Sequence, residues 1–309
     1  MKMKLITLLA CASHASASLI STPCGMRPSE CVREAPHLSH ITFAPSTSPH
    51  DFNVQHSNNT LEYVTVPQTC HEFFAAAAAA AATTTTAAQH LGNIPNGWIE
   101  SAGVYQMDPD NQIHSFDAKW TVPPKPTKPQ KPETLYYFIG LEDRTQGKLT
   151  TIHQPVLTWG DQTEGGLYDD EWHLWSWTCC PKNLTWHSPD IAGFQPGDEI
   201  YGDITKISSA TWKINGGFKS ANGTWHNTTL TSEVGSYNYN YADVTLEVYN
   251  LTSCDQMVHG NVEFSDLHLT TEDGKDWVPS MWYPTGFPSN CKTTLEINKA
   301  NHSMIIRSE

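Results

Sequence analysis

The sequence predicts an all-β protein: an antiparallel β-sandwich of the concanavalin-like or jelly-roll type, preceded by a signal and a low-complexity prosegment. Three observations carry this. Short aromatic or β-branched runs alternate apolar and polar residues through most of the chain after residue 92. Clusters of Gly, Pro, Asn and Asp separate them, and no intervening stretch repeats apolar residues at helical spacing. All 11 tryptophans lie in this same part, from Trp98 to Trp282.

The amino terminus, "MKMKLITLLACASHASAS", has two lysines, a short apolar run and an Ala-Ser-Ala spacing. It reads as a secretory signal over residues 1–18, too short to span a bilayer, so the protein is expected to be secreted, extracellular and free of the membrane. Residues 19–92 hold scattered prolines, serines and six histidines and end in "AAAAAAAATTTTAAQHLG". Octa-alanine with no partner face reads as a linker, and the segment as a prosegment or arm outside the core. Residues 93–309 form the sandwich domain. Its expected strands are "SFDAKWTVP", "TLYYFIGLE", "IHQPVLTWG", "WHLWSWTCC", "EIYGDITKI", "ATWKING", "TWHNTTL", "ADVTLEVYN" and "GNVEFSDLHL", with turns at "PPKPTKPQKP", "DQTEGG", "FQPGDE", "NGG", "ANGT" and "EDGKD".

Sequons begin at Asn58, Asn183, Asn222, Asn227, Asn250 and Asn301, a density that predicts a glycoprotein. Of eight cysteines, Cys179, Cys180, Cys254 and Cys291 lie late. They are expected to form two disulfides in the oxidising secretory compartment. Adjacent Cys179 and Cys180 would each reach Cys254 or Cys291, because a vicinal bridge is strained. No metal or other cofactor is expected, since neither Cys-x-x-Cys nor a zinc-like Cys/His spacing occurs. The net charge of −14 argues against phosphate-tracking nucleic-acid binding. A monomer is the expected form.

Gly-x-Ser-x-Gly, His-Glu-x-x-His and Asp-Thr/Ser-Gly are all missing. The strand "YADVTLEVYN" instead alternates aliphatic residues with Asp243, Thr245 and Glu247. From Trp98 onward the order of segments resembles the glutamic peptidases, the eqolisins. "ADVTLE" (Ala242–Glu247) matches the spacing of that family's catalytic-glutamate strand, and "GNVEFSDL" follows as its next strand does. "FIGLED" and then "IHQPVLTWG" occupy the place of its turn and glutamine strand and offer Gln154. Pro155 stands where the family has a small residue, and Val244-Thr245 replace its Trp-Ile.

The resemblance implies a secreted β-sandwich endopeptidase acting on a protein or peptide substrate at acid pH and made as a zymogen, with Gln154 and Glu247 as the catalytic pair. A carboxylate takes the proton of the attacking water, and a neutral amide holds that water and the developing oxyanion. Glu142, Asp243, Trp172, Trp175 and Trp177 are candidates for substrate binding. The alternative is a catalytically inactive sandwich that binds carbohydrate or protein through its aromatic face.

Overall fold

The computed structural model describes residues 18–309, apart from 49, 84–89, 92–93, 107, 109, 145–150, 161–169, 221, 234, 236, 277–281, 287–288 and 299. The signal, residues 1–18, therefore lies almost entirely outside the described residues. So does the expected turn at residues 161–166.

Two large sheets pack face to face. The eight-stranded sheet is centred on Gly97–Tyr105, Tyr241–Tyr249, Thr134–Asp143, Thr151–Trp159 and Trp172–Cys179, all antiparallel in that order. Tyr283–Pro284 borders one side; Thr185–His187 and Val32–Glu34 border the other. The ten-stranded sheet runs Thr293–Asn298, Ser303–Ser308, Gly260–Thr271, Ile113–Thr121, Glu199–Lys206, Thr211–Lys219 and Trp225–Glu233, then His40–Phe43, Phe52–Gln55 and Leu61–Val64. All nine runs expected to be strands are strands.

Their alternation builds the core. Val244, Leu246 and Val248 face the second sheet together with Leu135, Tyr137, Leu157 and Trp159, and meet Ile204, Ile214 and Phe264 there. Trp120 stacks on Phe264 with ring centroids 5.3 Å apart. Trp172 belongs to this core, packed on Trp159 and Tyr137, so it does not line a substrate surface. His153 points inward too, between Tyr239 and Trp212, where burial lowers its pKa to about 3 and keeps it neutral.

The expected turn at "NGG" is a strand instead. Asn215, Gly216 and Gly217 continue the strand Thr211–Lys219 without a break. The glycines serve packing there: a Cβ on Gly216 would press on Leu174, and one on Gly217 would lie 2.5 Å from Oδ1 of Asn227.

Residues 19–70, expected to stay outside the core, largely pack onto the sandwich. Val32–Glu34 pairs in parallel with Thr185–His187, and His40–Phe43 in parallel with Trp225–Glu233, so this segment extends one edge of each sheet. Ile41, Phe52 and Val54 join the main core, and Phe52 meets Trp186 edge-on. The alanine tract belongs to a helix, Gln68–Thr83, in keeping with alanine's helix propensity. Cys31–Cys70 ties that helix to the sheet edge.

The disulfides differ from expectation. Cys254 bonds Cys291, Cys179 bonds Cys24, and Cys180 is free. The fold brings Cys24 to the end of the strand Trp172–Cys179, a proximity between residues 155 apart that spacing alone does not reveal. Non-reducing peptide mapping is expected to recover Cys24–Cys179, Cys31–Cys70 and Cys254–Cys291, with Cys180 alkylated before reduction. Recovery of Cys180 joined to Cys254 or Cys291 would refute this framework.

Candidate active site

The outer face of the eight-stranded sheet carries the residues singled out from the sequence. In Tyr241–Tyr249 the odd-numbered side chains point away from the core. Register aligns them with the even-numbered side chains of Thr134–Asp143 and Thr151–Trp159, and with Trp175, Trp177 and Cys179 of the next strand. Asp243 is opposite Gly140, and Gln154 is opposite Trp177. Between the pairs Phe138–Val156 and Leu141–His153, the register sets Gly140 opposite Gln154. One row thus reads Trp177, Gln154, Gly140, Asp243.

Glu247 shares this face but stands four residues further along its strand, opposite Tyr136. Among the described residues no hydrogen bond joins Gln154 to Glu247. The side chain facing Gln154 across Gly140 is Asp243. Gly140 is required at that crossing, because a Cβ would lie 2.6 Å from Oδ2 of Asp243.

The face is covered rather than open. Leu19–Thr22 and Gly25–Pro28 form a hairpin with a two-residue loop, Pro23-Cys24. Ile20 and Met26 pack into a second apolar cluster with Tyr136, Phe138, Val156, Trp175, Trp177 and Tyr249. The Oγ atoms of Ser21 and Thr134 are 2.8 Å apart. Nε2 of Gln154 donates to the carbonyl of Pro23 at 2.8 Å. Cys24–Cys179 fastens the loop, and Cys180 lies beside it with its sulfur 3.6 Å from that of Cys24. Gln154 and Glu247 are consequently buried.

Burial sets the electrostatics. It pushes the pKa of Glu247 up to about 8, against the opposing effects of the Tyr249 hydroxyl, the Trp98 indole N–H and the Arg27 charge. Tyr249 donates to Oε1 of Glu247. Glu142 is also raised well above the usual range, first by burial and then by the charge of Asp243; Asp243 is raised by burial. Arg144 engages Glu142 in a forked pair, Nε to Oε2 at 2.5 Å and Nη2 to Oε1 at 3.0 Å, and lies 3.9 Å above the Tyr241 ring. Thr245 donates to Oδ1 of Asp243 at 2.6 Å. The face therefore holds one neutral amide able to donate to a carbonyl, one carboxyl poised near neutral pH, and a carboxyl pair clamped by an arginine.

Similarity searches bear on the architecture. No family model matches the chain, and no curated protein sequence matches it. Solved structures do. Two crystal structures of scytalidoglutamic peptidase, one with a peptide-based transition-state analogue and one with a transition-state analogue inhibitor, each superpose with a TM-score of 0.51 at 15% identity, covering 70% of this chain and 100% of theirs. The fold is that of a glutamic peptidase.

Among the expected substrate-binding residues, Trp175, Trp177, Glu142 and Asp243 are on this face and Trp172 is not. The hairpin, Arg27 and Trp98 escaped sequence reading, whereas alternation already sets Tyr249 on the face of Glu247. The Pro-Cys-Gly turn in "LISTPCGMRP" was the available signal for the hairpin.

The raised pKa of Glu247 has a direct consequence for stability. In the folded chain the carboxyl keeps its proton up to about pH 8, whereas unfolded it loses it near 4.5. Its contribution to stability is therefore intact below about pH 4.5 and declines as pH rises towards 8, by on the order of 4 kcal/mol. Thermal unfolding between pH 5 and 8 is expected to show Tm falling, with a distinctly shallower fall for Glu247→Gln. Parallel profiles for the two chains would contradict the assignment.

Proposed function

We propose that the outer face of the eight-stranded sheet is the substrate cleft of a secreted, acid-acting endopeptidase of the glutamic type, with residues 19–92 as its prosegment. One observation carries this reading: the hairpin lays a peptide carbonyl, that of Pro23, on the amide of Gln154. A substrate strand crossing the cleft would present its scissile carbonyl in the same manner. Trp175, Trp177, Phe138 and Val156, which hold Ile20 and Met26, would take substrate side chains.

In the reaction, Gln154 donates Nε2–H to the carbonyl oxygen as it becomes an oxyanion. Glu247, ionised once the hairpin has left and water has entered, takes a proton from the attacking water. It returns that proton to the leaving amine as the C–N bond breaks. Glu142, Arg144 and Asp243 hold the end of the cleft beyond Gln154 and fix its charge. Beneath the hairpin Glu247 is protonated at acid pH and cannot act as a base, so the covered chain is a zymogen. Release requires cutting or displacement of the hairpin together with loss of the Cys24–Cys179 tether.

The test uses denatured protein as substrate from pH 2 to 7, with fragments as the readout. Cys24→Ser, which unties the hairpin, is expected to raise acid proteolysis above that of the full chain. In that background Gln154→Ala should lower turnover by roughly 10²–10³, and Glu247→Gln should abolish it while leaving the fold intact. The double variant should fall little below Glu247→Gln alone, since loss of the base already stops the reaction that Gln154 assists. Equal rates for Glu247→Gln and its parent would sink the reading. Absent proteolysis, combined with glycan binding that is lost on Trp175→Ala, would establish the carbohydrate-binding alternative.

A further inference from the structure

We propose that the N-linked glycan of Asn227 folds down onto Trp225 and occupies the trough between Trp225, Tyr201 and Lys119 on the outer face of the ten-stranded sheet. The proposal concerns the opposite side of the molecule and does not depend on the peptidase reading.

Trp225 is 56% exposed, in a chain that buries most of its tryptophans. Its position relative to the sequon explains it. In the strand Trp225–Glu233, Trp225 and Asn227 are two residues apart and point to the same side. Beside Trp225 lies an open trough of about 380 Å³, lined by Lys119, Glu199, Ile200, Tyr201, Lys219 and Trp225; Tyr201 links it to Asn227 through its hydroxyl. Tyr201 stands edge-on to Trp225, with centroids 5.4 Å apart.

The asparagine is held in a defined pose. Register places Tyr201, Gly217 and Asn227 in one row across three strands. Gly217 leaves the middle of that row empty: a Cβ would lie 2.5 Å from Oδ1 of Asn227 and 2.7 Å from the Tyr201 hydroxyl. The amide of Asn227 thus lies flat over the glycine and accepts the Tyr201 hydroxyl on Oδ1. Nδ2, the atom that carries an N-glycan, has no hydrogen-bond partner among the described residues. By contrast, Nδ2 of Asn250 donates to the carbonyl of Pro132, and Nδ2 of Asn183 meets Nδ1 of His71 at 3.1 Å.

Thr229 completes the Asn-x-Thr acceptor. In glycosylation the Nδ2–C1 bond forms, the bond from C1 to the lipid pyrophosphate oxygen breaks, and Nδ2 gives up one proton. The first sugar is then anchored two residues from an exposed indole. The C–H face of its pyranose ring suits the electron-rich indole face, while Lys119, Lys219 and Glu199 offer donors and acceptors to its hydroxyls. The sugar covers apolar surface that would otherwise meet water.

The experiment uses the full chain expressed in a glycosylating secretory host, with site occupancy read by mass spectrometry. Tm is measured for wild type, Trp225→Ala, Asn227→Gln and the double variant. Each is measured before and after enzymatic removal of N-glycans. Asn227 is expected to be occupied, and Trp225→Ala to lower Tm by about 2–4 °C in the glycosylated chain, the size of shift that one surface contact gives in a domain of this size. That loss should shrink severalfold once the glycan is gone or Asn227 is replaced. Trp225 is exposed, so its replacement leaves the core untouched and the comparison stays readable. An unoccupied Asn227, or the same loss with and without the glycan, overturns the proposal; so does tight binding of free chitobiose by the glycosylated chain, which would show the trough to be empty.

Discussion

Every residue from Tyr241 to Tyr249 is buried, although every second side chain is polar or aromatic. That constraint organises the molecule. An antiparallel strand with one apolar face ordinarily shows its other face to water. Here the ten-stranded sheet covers one side and the hairpin Leu19–Pro28 the other, so Asp243, Thr245 and Glu247 must find their partners inside the protein. They do so through Thr245, Ser101, Tyr249, Trp98 and the Glu142–Arg144 fork. Burying a carboxyl with few partners raises its pKa, which is why this face combines acids shifted upward with an arginine that engages one of them.

The sandwich was legible because alternation is a local property. Val244, Leu246 and Val248 reveal their common face within a single strand, and nine such runs suffice to fix the architecture. What the alternation could not reveal is which strands lie beside which. The row through Trp177, Gln154, Gly140 and Asp243 exists only once three registers are known, so Asp243, rather than Glu247, as the neighbour of Gln154 was beyond reach. Cys24–Cys179 escaped for the same reason.

Other failures have a different origin. The parallel-paired strands Val32–Glu34 and His40–Phe43 are three and four residues long, too short for periodicity to register. "NGG" carries the composition of a turn, but the space above Gly217 is taken by side chains from two neighbouring strands, and that crowding overrides local preference. Trp172 and Trp175 are three residues apart in one aromatic run, yet only strand parity separates the one in the core from the one beneath the hairpin.

The early segment also closes sheet edges. Beyond His40–Phe43 lies the nine-residue strand Trp225–Glu233, whose outer row of backbone groups is in part paired only through that contact. A cut after residue 92 that let the whole segment leave would bare this row and expose the strand to pairing with another copy of the chain. A cut between the hairpin and Cys31, with Cys24–Cys179 also broken, would uncover the outer face of the eight-stranded sheet and leave both edges capped, with Cys31–Cys70 still clasping the remainder. Where the chain is severed therefore decides whether the product is a soluble sandwich or a template for self-association.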